Sequence, residues 1–110
     1  MNGDEMSTAS RSALATITMV NPAVVFADLD GEVVLLNTET GVYFGLEGAG
    51  ALIWAMLADS APEGAIVERL LDRFAVEPER ARADLAAFLD QLLAKRLLVR
   101  RDVPATRLPA

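Results

Sequence analysis

Apolar positions along this chain change their spacing near Glu47. Before it they come in short Val-, Leu- and Phe-rich runs bounded by turn residues; after it they recur every three or four positions. Asn21-Pro22 punctuates the entry, because proline fixes its own φ and pushes its predecessor toward extended geometry. Ala23 to Leu29 then reads as a strand, and Asp30-Gly31 as a two-residue hairpin turn whose residues suit positive φ. Glu32 to Asn37 returns, and Thr38-Glu39-Thr40-Gly41 turns the chain into a third strand, Val42 to Leu46. The predicted first half is thus a three-stranded antiparallel meander.

In the second half Leu52, Ile53, Met56 and Leu57 mark a helix from about Glu47 to Ala58. Asp59-Ser60-Ala61-Pro62 supplies a break, an N-cap and a proline suited to a first helical turn. A second helix runs to about Phe74, with Ile66, Val67, Leu70, Leu71 and Phe74 inward. A third runs from Glu77-Pro78 to about Arg96, burying Ala81, Leu85, Phe88, Leu89 and Leu92. Leu97-Leu98-Val99 closes an α+β domain. The expected organisation is a flexible N-terminal tail over residues 1–20, a folded domain over 21–100 and a proline-punctuated tail over 101–110, although Ala15 to Val20 has enough β character to extend the first strand.

The third strand is the unusual element. The outer strands of a meander are exposed edges, which proteins guard with charge or proline because unpaired N–H and C=O groups invite another strand. The first strand has Pro22, Asp28 and Asp30; Val42-Tyr43-Phe44-Gly45-Leu46 has neither charge nor proline. A neighbouring helix covering this edge is the commoner solution, and an extended peptide adding a fourth strand is the functional one. Gly45 marks either a bulge before the first helix or a close backbone approach. Tyr43 points to the face opposite Val42 and Phe44, and Trp54 belongs to the core. On the third helix Asp84, Gln91 and Lys95 form a polar shoulder beside Phe88, a solvated face unless it forms a wall opposite the third strand.

Composition narrows the chemistry. The 110-residue chain is 53% hydrophobic and carries a net charge of −6, which supports one core and disfavours a nucleic-acid partner, since that binding depends on Lys and Arg. It has no cysteine and no histidine, so disulfides, thiolate nucleophiles, Cys/His metal sites and His-based triads are excluded within it. No two carboxylates stand out as an acid/base pair, and "GLEGAG" lacks the lysine of a phosphate-binding loop. No cofactor is expected. No apolar run approaches the roughly 20 residues needed to cross a bilayer, and no secretory signal is legible, so a cytoplasmic location without membrane attachment is expected.

Taken in order, "GEVVLLNTETGVYFGLEGAGALIWAMLAD" and "VERLLDRFAVEPERARADLAAFLDQLLAKRLL" resemble the PqqD-like family, the recognition domains for precursor peptides that are ribosomally made and then modified. The resemblance covers about Ala23 to Val99. It implies a winged helix-turn-helix-like fold of three strands and three helices, no catalytic activity, and a leader peptide bound as an added strand against the third strand and third helix. The positions it points to are Val42, Tyr43, Phe44, Gly45 and Leu46 on the strand and Asp84, Leu85, Phe88, Gln91 and Lys95 on the helix. The implied partners are the precursor peptide and a modifying enzyme, either a radical SAM maturase or a leader peptidase and cyclase as in lasso-peptide assembly. Glu47 departs from the family pattern, which often has Asn there. Two other readings stay open. One is a module that pairs its third strand with a second copy of itself as a homodimer. The other is a winged-helix DNA-binding protein, although the third helix mixes Arg80, Arg82 and Lys95 with Glu79, Asp84 and Asp90.

Overall fold

The Asp30-Gly31 turn is the local feature from which the sheet is built. Both residues have positive φ, 62° and 90°, the combination a type I′ hairpin needs to match the twist of its strands. In this computed structural model, which describes residues 14–104, the elements are β1 (Leu14–Val20), β2 (Val24–Leu29), β3 (Glu32–Asn37), β4 (Val42–Glu47), α1 (Ala49–Ala58), α2 (Glu63–Arg73), α3 (Pro78–Ala94) and β5 (Leu98–Pro104). Strands β2, β3 and β4 form a three-stranded antiparallel sheet in that order, followed by the three helices in a winged helix-turn-helix-like α+β arrangement. The meander and helices follow the expected order.

Side chains alternate across the sheet. Val24, Val33 and Leu35 are buried and pack with Ala51, Ile53, Trp54, Leu57, Ile66, Leu70, Ala81, Leu85, Leu89 and Leu92 of the helices in one core. Trp54 is fully buried, as its place on α1 predicts, and meets the Phe26 ring edge-on at 5.6 Å. Phe74 departs from expectation: it sits just past the end of α2 and stays 37% exposed. The break before α2 also differs. Pro62 is the N-cap itself, whereas Ser60 adopts φ 62° and ends α1. The Ser60 and Ala61 amides donate to Leu57 and Met56 carbonyls at 2.9 Å, the two bonds of a Schellman motif.

The larger difference concerns the supposed tails. β1 and β5 pair antiparallel from Val20↔Leu98 to Leu14↔Pro104, so Leu14–Val20 and Arg101–Pro104 are strand and not tail, and β1 is separate from β2. Residues 1–13 and 105–110 lie outside the described residues. The β-branched run Thr16, Ile17 and Thr18 suits a strand, but its partner is remote: the Thr16 hydroxyl donates to the Asp102 carboxylate at 2.9 Å across 86 residues.

Two buried amides tie this ribbon to the sheet and to α3. The chain leaves α3 through Arg96 at φ 61°, and the Arg96 and Leu97 amides close a second Schellman motif on Leu93 and Leu92. This turns the Arg96 carbonyl inward, where it accepts from Asn21 Nδ2 at 2.8 Å and Asn37 Nδ2 at 3.1 Å. Asn37 Oδ1 accepts from the Glu39 amide at 2.9 Å, organising the β3–β4 turn, and Asn21 Oδ1 accepts from the Ala23 amide at 2.9 Å. Both side chains are buried, so their polar atoms need these partners.

Candidate functional site

Which groups β4 offers to its open side follows from the register. The Thr38 amide donates to the Ala23 carbonyl at 2.9 Å, so the even-numbered residues of β3 bond β2 and the odd-numbered ones bond β4. Val33, Leu35 and Asn37 face Leu46, Phe44 and Val42; Phe44 and Leu46 spend their backbone groups on β3, while the Val42 amide donates to Thr40 Oγ1 at 3.3 Å within the turn. Tyr43, Gly45 and Glu47 therefore turn their N–H and C=O groups outward, where no strand pairs with them among the described residues. The register runs unbroken through Val34↔Gly45, so Gly45 is not a bulge, and a Cβ there would meet nothing within 4 Å. The bulge reading therefore does not hold, and no other backbone among the described residues comes close: Gly45 is an open place on an open edge. Tyr43 lies on the outer sheet face as alternation requires and is 68% exposed.

Helix α3 flanks the inner side of this strand. Pro78 in its first turn and Glu79 beside it favour initiation at this point. Ala81, Leu85, Leu89 and Leu92 face the core, while Asp84, Phe88, Gln91 and Lys95, at three- and four-residue spacing, share an adjoining stripe. Lys95 Nζ stands 5.8 Å from the centre of the Phe44 ring, a cation–π distance. Midway along the stripe, the Phe88 ring and Leu46 come within 3.3 and 3.8 Å of where a Cβ of Gly50 would lie. Gly50 thus lets α1 approach both. Gln91 and Asp84 are exposed, and Asp84 is held by Arg80 Nε at 3.1 Å.

The ten strand and helix positions do not form one surface. Val42, Phe44, Leu46, Phe88 and Lys95 line the inner side of β4, while Tyr43 and Gly45 supply its edge and outer face. Leu85 is 2% exposed; with Asp84 it belongs to a neighbouring apolar cavity of about 360 Å³, bordered also by Ile53, Phe74, Val76 and Phe88. Phe88 therefore stands between the β4 groove and this cavity. Sequence reasoning missed Gly50, whose signal was its place one turn before Trp54 on a helix otherwise free of glycine. Among the described residues no group of three or more His, Cys, Asp or Glu could hold a metal ion, and no helix is long and apolar enough to cross a membrane.

The comparison that decides the family is a match of residues 32–98, more than half of the chain, to the model of PqqD, coenzyme PQQ synthesis protein D. The chain belongs to this family. As a PqqD-like domain it is a recognition module and not an enzyme. Two solved structures are similar to it. One is TbiB1 in complex with the TbiA(beta) leader peptide: 39% identity, TM-score 0.71, 73% of this chain and 93% of that one covered. The other is lasso peptide synthetase B1 complexed with the leader peptide: 27% identity, TM-score 0.69, 74% and 96% covered. No curated protein matches the chain.

Proposed function

We propose that this PqqD-like domain takes up the leader segment of a ribosomally made precursor peptide as a fourth strand on β4 and presents it to a modifying enzyme. The observation that carries the reading is the outward row of Tyr43 and Gly45 backbone groups beside the α3 stripe. Backbone hydrogen bonds would supply much of the attraction, each worth about 0.5–1.5 kcal/mol net. Selectivity would come from side chains alternating between the outer face and the groove of Phe44, Leu46, Phe88 and Lys95. The likeness to two B1-type proteins complexed with leader peptides supports the choice of ligand, and favours the leader peptidase and cyclase of lasso-peptide assembly over a radical SAM enzyme as the partner.

The test is a fluorescence-polarisation titration with the TbiA(beta) leader peptide, comparing the natural chain with Gly45→Pro. Proline is tolerated on an edge strand where the N–H faces outward, so the variant should fold. It lacks one donor and crowds an incoming chain, so affinity should fall roughly tenfold, the equivalent of about 1.4 kcal/mol. Unchanged affinity would place the peptide elsewhere. If the proline instead abolishes a dimer seen by sedimentation and leaves peptide affinity intact, the edge serves self-pairing.

A further inference from the structure

The two ends of the β4 edge carry opposite charge, and neither charge is satisfied within the described residues. At one end Glu32 and Glu47 are cross-strand partners. Because Glu32 spends its backbone groups on β2, the two form a non-hydrogen-bonded pair, the kind in which side chains come closest. Like charges directly opposite each other destabilise a sheet. The ion pairs among the described residues are Arg80–Asp84 and Arg100–Asp90, so no cation offsets this one. At the other end Lys95 rests over Phe44, likewise without a carboxylate within 4.0 Å among the described residues.

We infer that the edge selects an extended peptide carrying a basic residue beside Glu47 and an acidic residue three positions later beside Phe44 and Lys95. The spacing follows from strand geometry. Phe44 and Glu47 are three residues apart, about 10 Å along the strand, and an odd offset places their side chains on opposite faces. A strand antiparallel to β4, continuing the pattern of the sheet, reaches the Glu47 end first. Its residue beside Glu47 lies on the outer face next to that carboxylate, with Glu32 one strand further in adding to the negative potential; its residue beside Phe44 points into the groove toward the Lys95 ammonium. The inference rests on the β4 docking just proposed and adds the charge pattern of the ligand.

A phage-displayed library of random dodecapeptides, selected on the full chain, reads this pattern directly. The selected peptides should be enriched in Lys or Arg followed three residues on by Asp or Glu. A fluorescein-labelled peptide from that pool should lose about fivefold in affinity on Glu47→Lys. Exchanging its basic residue for Glu should restore binding to that variant. Lys95→Glu should act in the same way on the acidic position, and both effects should shrink in 1 M salt, where the screening length is only about 3 Å. Peptides that lose binding on Gly45→Pro yet show no such charge spacing would overturn the inference and leave the docking reading standing. Selected peptides indifferent to Gly45→Pro, or no selectable peptide at all, would overturn both.

Discussion

At Arg96 the backbone turns left-handed at the end of α3 and gives its carbonyl to two buried asparagines. A non-glycine residue in this conformation carries a cost of roughly 1–2 kcal/mol, and the turn retains it because the geometry satisfies Asn21 and Asn37 together. Asn37→Ala should leave the Glu39 amide and one lone pair of the Arg96 carbonyl without a partner inside the protein. The expected loss is about 1–3 kcal/mol, read as a lower urea midpoint with an unchanged slope. Arg96→Gly should move the same midpoint the other way by up to about 1 kcal/mol, since glycine adopts positive φ without the Cβ penalty but gives back part in chain entropy. Neither effect was legible from the sequence: Asn37 reads there as the last residue of a strand, and Arg96 as one more cation at a helix end. Local chemistry was readable, as Asp30-Gly31 shows; a side chain reaching a carbonyl 59 residues away was not.

For whole elements the division is the same. The meander and the three helices were legible because each is marked by local periodicity and by turn residues at its ends. The β1–β5 ribbon was not, because its two strands are separated by the entire domain and neither holds a turn that announces the other. Pro62 was placed one residue too far into α2 because its fixed φ, −70° here, is compatible with the extended N-cap as well as with the first turn. The candidate site was legible in the same proportion. The unguarded Val42–Leu46 strand could be read residue by residue, whereas the packing of Phe88 on Gly50 and the burial of Leu85 depend on how α1 and α3 approach. Two variants separate the walls of the groove. Gln91→Ala, on the stripe between Phe88 and Lys95, should weaken peptide binding while thermal stability stays within about 0.5 kcal/mol, as is usual for an exposed residue. Asp84→Ala, at the cavity end, should have the smaller effect on affinity; polarisation titrations paired with melting curves check both.

Across the whole molecule the charge balance disfavours a nucleic-acid partner. With a net charge of −6 and α3 carrying both signs, the domain lacks the row of cations by which a winged-helix protein neutralises phosphates. An anisotropy titration with mixed-sequence duplex DNA at 150 mM salt should show no appreciable binding; steeply salt-dependent binding would restore the regulator reading.

Amide hydrogen exchange followed by NMR reads, residue by residue, whether β4 takes on a fourth strand. The Phe44 and Leu46 amides are already bonded to β3 and should exchange slowly with or without ligand, whereas those of Tyr43 and Gly45 face outward and should exchange fast in the free protein. Addition of a saturating library-selected dodecapeptide should protect Tyr43 and Gly45 while leaving Phe44 and Leu46 as they were. A bound peptide that leaves Tyr43 and Gly45 in fast exchange, and protects amides of β2 or α2 instead, would show that the peptide docks away from β4.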